Sequence, residues 1–131
     1  MQAILTKGVV RSKLVAGVPF YGRGWRGIES PTVGSTGTGA LQVGGYTIIA
    51  ETFLKNPGYV RYWDDVAKVP WLYNAGTKEW ISYEDPQSMR LKGEYIAAQN
   101  LGGAMFWELS HDDGRLLDAL RSGLGAAPVA R

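Results

Sequence analysis

At 131 residues, with 45% hydrophobic and 20% charged side chains, the chain has the composition of a single globular unit able to bury a core. Its formal charge of +2 is scattered rather than gathered into a basic stripe, so nucleic acid is not an expected partner. There is no cysteine and one histidine, which removes disulfides and thiolate metal sites and makes a zinc site unexpected.

The apolar opening from Met1 to Phe20 is broken by Lys7, Arg11 and Lys13, leaving neither an uninterrupted signal-peptide core nor a membrane span. Gln2 to Lys7 reads as a short helix stopped by Gly8. Lys13 to Tyr21, with Val15, Val18 and Phe20, reads as a buried strand. The Gly-, Ser- and Thr-rich stretch from Gly34 to Gly45 is expected to be loop, and Tyr46 to Leu54 a short helix ended by Pro57 and Gly58. Three aromatic-rich runs follow, Tyr59 to Trp63, Val69 to Tyr73 and Glu79 to Tyr83. Turn signals between them predict a small antiparallel sheet.

Asp85 before Pro86 has the form of an N-cap and first-turn proline, opening a helix to about Gln99 with Met89, Tyr95 and Ile96 on its apolar face. Leu101 to Leu109 is a second apolar strand, entered through Gly102 and Gly103. Asp112 or Asp113 is placed to cap a last helix through Arg121, after which Gly123 to Arg131 reads as a frayed tail. Two short apolar strands, each ending at an aromatic, suit parallel strands buried on both faces. The chain is nonetheless short for a complete (β/α)8 barrel, which takes roughly 250 residues.

Side chains alternate across a strand, so Tyr21 and Arg23 share one side at the end of the first strand, and Met105 and Trp107 share one side of the second. If both strands belong to one barrel, the four converge at its C-terminal mouth. A phenol, an indole, a thioether and a guanidinium suit a sugar. Aromatic faces cover the C–H surface of a pyranose, and the guanidinium offers fixed donors to hydroxyls or an amide carbonyl. The alternative is that Met105 and Trp107 are core and Arg23 a surface charge.

Three segments then carry a resemblance. Lys13-Leu14-Val15-Ala16-Gly17-Val18-Pro19-Phe20-Tyr21-Gly22-Arg23-Gly24-Trp25 resembles the seventh barrel strand of family-18 chitinases. Trp80-Ile81-Ser82-Tyr83-Glu84-Asp85 with Ser88 and Lys92, and Leu101-Gly102-Gly103-Ala104-Met105-Phe106-Trp107-Glu108 with Asp112 and Asp113, are similar to later segments of the same family in the same order. The resemblance implies an α+β chain: the C-terminal strands and helix of a partial (β/α)8 TIM barrel around a small α+β chitinase insertion domain. The implied division is a barrel segment over 1–24, the insertion domain over 25–95, and the last strand, final helix and tail over 96–131. It implies chitin or chitooligosaccharides as ligand, no metal or cofactor, secretion, Trp107 as the floor beside the scissile bond, Tyr21 and Arg23 lining the cleft, and Met105 as a lesser neighbour.

The family hydrolyses β-1,4-linked N-acetylglucosamine by substrate assistance, an exception to the two-carboxylate scheme, with a glutamic acid ending an Asp-x-x-Asp-x-Asp-x-Glu motif as the proton donor. Neither that motif nor the family's Met-x-Tyr-Asp segment occurs in this sequence, so no catalytic residue is expected from it and turnover by this chain alone is not. The acidic neighbours Asp64–Asp65, Glu84–Asp85 and Asp112–Asp113 are expected to be turn, cap or surface pairs. Glu108 follows the floor tryptophan and is expected to face away from it.

Other readings are weaker. Gly22-Arg23-Gly24-Trp25-Arg26-Gly27 satisfies a dinucleotide-binding spacing, yet Ser30 and Pro31 and the glycine-rich run beyond cannot open the helix that motif needs. Ser110-His111-Asp112 has the residue types of a hydrolase triad, but contiguous residues cannot converge as one. Trp63, Trp71, Tyr73 and Trp80 form either the small core of the sheet or a glycan-binding face, which would make the chain a non-catalytic binding module. An inert fragment is the remaining reading, its open strand edges predicting a missing barrel half as partner, or self-association.

Overall fold

A computed structural model describes residues 2–126. After a short helix α1 (Gln2–Leu5), strand β1 (Val15–Pro19) pairs in parallel with a strand from the far end of the chain, β7 (Gly103–Trp107), in a register that sets Gly17 beside Met105 and Pro19 beside Trp107. Between them lies a five-stranded antiparallel sheet, built from β2 (Tyr21–Arg26), β3 (Gly39–Gly45), β4 (Val60–Asp64), β5 (Val69–Asn74) and β6 (Glu79–Ser82) in the order β3-β2-β6-β5-β4. Helix α2 (Tyr46–Ile48) passes directly into a π-helical turn over Ile49–Phe53, which the Leu54 N–H closes on the Ile49 carbonyl. Helices α3 (Pro86–Ala98) and α4 (Arg115–Gly123) pack against one another.

Three expectations are corrected. The apolar run from Lys13 to Tyr21 is broken at Phe20, so Tyr21 and Arg23 lie on β2, in the larger sheet, and not at the end of the strand that pairs with β7. The Gly34 to Gly45 stretch is loop only in its first half; Gly39–Gly45 is a strand whose Leu41, Val43 and Gly45 are buried alternately. The glycines there answer a packing demand. A Cβ on Gly22 or Gly24 of the neighbouring strand would come within 3 Å of Val43. Tyr95 is also displaced from its expected place, standing exposed beside Val66 rather than on the buried face of α3 with Met89 and Ile96.

One core runs through both sheets. Val18 and Phe20 meet Leu41, Val43 and Ile49 from the β3–π-helix side, Leu72 and Ile81 from the larger sheet, and Met89, Ile96, Leu116 and Leu120 from the helices. The two helices approach so closely that a Cβ on Gly93 would lie 2.6 Å from the Leu120 carbonyl oxygen. At the head of α3 the Asp85 carboxylate accepts the Ser88 N–H at 2.8 Å while the Ser88 hydroxyl accepts the Asp85 N–H, a reciprocal cap. The same carboxylate takes two donors from Arg61 on β4, at 2.6 and 3.0 Å. Burial works against the Arg61 charge, but Asp85 outweighs it and holds the guanidinium above its ordinary value.

The tail expected from Gly123 begins as the last residue of α4, and residues 127–131 lie outside the described residues. No described helix is long and apolar enough to cross a membrane. Asp85→Ala removes a cap and leaves the half-buried Arg61 without its carboxylate, so it is expected to cost about 2–4 kcal/mol; a urea unfolding free energy lowered by less than a quarter of that would show the cap to be dispensable.

Candidate binding surface

The parallel pair β1–β7 has one packed side and one open side. Ala16, Val18, Ala104 and Phe106 turn inward, and Phe106 stacks on Phe20 with ring centroids 4.8 Å apart. Alternation then sends Val15, Gly17, Met105 and Trp107 outward. Met105 is 51% and Trp107 63% exposed, so neither is core, and the strands are not buried on both faces within the described residues. The Trp107 indole is the most exposed aromatic of the described chain.

Phe20 fixes how this open side meets the larger sheet. Its N–H donates to the Trp107 carbonyl at 2.8 Å and its own carbonyl accepts the Tyr46 N–H at 2.8 Å. Tyr21, the next residue, therefore comes to rest beside the pair, and a shallow depression of about 260 Å³ is lined by Gly17, Val18, Pro19, Tyr21, Met105 and Trp107. Three of the four residues expected to form a site are thus brought together. Arg23 stands one alternation further along β2, outside that depression, with its guanidinium 5.5 Å from the centre of the Tyr21 ring. It lines a second depression of about 220 Å³ between β2 and β3, with Gln42 opposite.

The acidic groups are engaged elsewhere. Asp64 accepts the N–H groups of Val66 and Ala67 in the β4–β5 turn, and Asp65 pairs with Lys68. Buried Glu84 pairs with Lys92. Asp112 accepts the N–H groups of Leu116 and Leu117 at 3.0 and 2.9 Å, capping α4 from two residues before its Gly114 N-cap. Asp113 grips Arg115, whose guanidinium holds that carboxyl below the usual range. Glu108 follows the cis Trp107–Glu108 peptide and accepts the Ser110 hydroxyl, with His111 Nε2 at 3.7 Å. Ser110, His111 and Asp112 accordingly share no triad geometry, and among the described residues no cluster of carboxylates or imidazoles could hold a metal. The glycine-rich Gly22–Gly27 spacing falls on strand β2 and opens no helix.

The sequence reading passed over Gln42 and Trp25 as surface residues of this site. For Trp25 a signal existed, because it repeats the alternation of Tyr21 and Arg23 on one strand. Trp71 and Trp80 are half-buried and stacked on one another at 6.0 Å, both donating their indole N–H to the Pro31 carbonyl, while Tyr73 is buried and donates to the Ile28 carbonyl at 3.0 Å. These aromatics hold down the loop after β2.

An exposed strand-end tryptophan framed by a tyrosine and a methionine, on a fold of this order, is met by a family model: the model for glycosyl hydrolases family 18 matches residues 1–112, and the chain belongs to that family. Among similar proteins are chitinase A1 of Niallia circulans, 44% identical over 88% of this chain and 18% of its own length, and chitinase B of Serratia marcescens, 31% identical over 96% and 31%. The chain therefore spans less than a third of these relatives. Among solved structures, a family-18 chitinase from Cycas revoluta in complex with (GlcNAc)4 superposes with a TM-score of 0.84 at 27% identity, over 95% of this chain and 37% of that one. A family-18 N-acetylglucosaminidase from Paenibacillus barengoltzii gives 0.81 at 38% identity, over 93% and 37%.

The exposure pattern yields a paired expectation. Phe20→Ala, at a fully buried ring, should cost about 3–5 kcal/mol, whereas Trp107→Ala should change stability by no more than about 0.5 kcal/mol. Comparable losses in thermal unfolding would mean that Trp107 is a packing residue after all.

Proposed function

We propose that this chain is the C-terminal segment of a chitinase, supplying one wall and part of the floor of a chitin-binding cleft through Tyr21, Arg23, Met105 and Trp107. On this reading β1, β7 and α4 are the closing part of a (β/α)8 barrel. Residues 25–95 form the inserted α+β domain, whose sheet takes in β2 from Tyr21 onward. The ligand is chitin or a chitooligosaccharide, and the parent enzyme is secreted. The observation that carries the reading is Trp107, exposed by 63% at the end of a strand whose alternate residues are packed. An indole face left bare beside a tyrosine ring and a methionine is the kind of surface that the C–H face of a pyranose covers well.

The residues divide the work of holding a neutral sugar. Trp107 offers an apolar plane to the C–H face of one ring. Met105, outward on the same strand, fills the gap beside it. Arg23, steadied over the Tyr21 ring, presents fixed N–H donors to hydroxyl or acetamido oxygens without surrendering its charge. Among the described residues no carboxylate is placed to protonate a leaving oxygen at this surface: Glu108, next in sequence to Trp107, accepts the Ser110 hydroxyl and lies by His111. The chain therefore contributes binding and orientation, and the acid must come from elsewhere in the enzyme.

A second reading, a non-catalytic glycan-binding module, draws on the same surface and differs in needing no partner. The open side of β1–β7 favours the first, since exposed Val15 and, among the described residues, the unpaired outer edges of both strands suit a continuing barrel or a second copy of the chain. Incubated with chitooligosaccharides, the purified chain is expected to release no N-acetylglucosamine units; release that tracks the protein through purification would overturn the division of labour. Titration with chitotetraose should change tryptophan fluorescence, and the change should vanish in Trp107→Ala. No response at millimolar sugar would leave the inert fragment as the better description.

A further inference from the structure

The surface does not stop at Arg23. Tyr21, Arg23 and Trp25 occupy alternate positions on β2, and the intervening Gly22 and Gly24 face the core, where any Cβ would strike Val43. All three larger side chains therefore share the opposite face. Four residue steps separate Tyr21 from Trp25, roughly 13 Å along a strand. Trp25 is 40% exposed and forms one side of a further cavity of about 360 Å³, walled by Trp80, Ile28 and the loop carrying Thr32, Gly34, Ser35 and Gly37. Its rings meet edge to face, 5.6 Å between centroids. The depression holding Arg23 and Gln42 also ends at Trp25, so the three hollows follow one another along the strand.

We infer that the Trp25–Trp80 cavity is a distal sugar-binding subsite, taking a pyranose unit of the oligosaccharide whose other end lies on Trp107. This deepens the chitin-binding reading and rests on it. The cavity's size falls in the range of small-ligand sites. No charged side chain lines it, which disfavours phosphates, cations and acidic peptides and suits a neutral ligand. The indole planes supply apolar faces, and the Thr32 and Ser35 hydroxyls, each bonded within the loop, keep acceptor capacity toward sugar hydroxyls.

The wall is also built before any ligand arrives. Pro31 is tied through its carbonyl to two indoles, Ile28 is tied at both its N–H, to the Lys78 carbonyl, and its carbonyl, to the Tyr73 hydroxyl, and Thr38 closes the loop back onto the Arg26 carbonyl at 2.8 Å. Little ordering is left to be done on binding.

Calorimetric titration of the full chain with chitobiose and chitohexaose tests this. A dimer spans only the Trp107 end, whereas a hexamer reaches both. Trp25→Ala is expected to weaken the hexamer by about tenfold and the dimer by less than about twofold, while Trp107→Ala weakens both by at least about tenfold. Because Trp25 also supports Trp80, a second variant, Ser35→Tyr, fills the cavity from an exposed loop position at the loss of one hydroxyl hydrogen bond, to the Thr32 carbonyl, and it should reproduce the hexamer-selective loss. Equal effects on both lengths, or none on the hexamer in Ser35→Tyr, would overturn the distal subsite and leave the Trp107 surface standing. A wild-type chain that binds neither sugar would overturn both.

Discussion

The structure turns on the backbone of Phe20. One residue's N–H and carbonyl tie the end of β7 to the start of α2, and its buried ring stacks on Phe106. The chain leaves one sheet at this residue and enters another. Because the peptide group is spent on both neighbours, the angle between the sheets is not free. Trp107 on the first sheet and Tyr21 on the second are held side by side by hydrogen bonds that neither side chain makes. The proposed binding surface is thus ordered by backbone, which leaves the Tyr21 and Trp107 side chains available to a ligand.

From that junction the rest follows as a division of faces. The β1–β7 pair turns small and aromatic residues to the core and bare ones outward; β2 turns glycines to the core and Tyr21, Arg23 and Trp25 away from it. Gly22 and Gly24 leave room on β2 for the Val43 and Leu41 side chains of the neighbouring strand, while the larger side chains of β2 stand on the other face. The Asp85 cap and its grip on Arg61 join α3 to the outermost strand, so the helix pair and the sheet behave as one support.

Much of this was legible. The Asp85–Pro86 helix start, the alternation along β7 and the three aromatic strands are local patterns, and local patterns survive into the fold. The misses share a cause. Strand β3 was hidden because its two large buried residues, Leu41 and Val43, are set between Gly39 and the Gly44–Gly45 pair, a run that reads as loop by composition. The break at Phe20 was hidden because an apolar run gives no sign of which sheet each residue joins. Arg61 with Asp85, and Trp71 and Trp80 with Pro31, depend on residues brought together across the sheet, and spacing says nothing about them. Of the candidate site, residue types and strand sides were readable; the separation of Arg23 from the Trp107 hollow was not.

The shared Pro31 carbonyl has an optical consequence. With both of its lone pairs committed to indole N–H groups, Trp71 and Trp80 are locked in polar, hydrogen-bonded surroundings, whereas Trp107 meets solvent directly and Trp25 looks into a hollow. The chain thus carries internal chromophores in contrasting environments. Emission from the solvent-facing rings lies open to aqueous quenchers from which the strapped pair is partly shielded, so the intact protein is its own two-channel reporter, with no label to be attached.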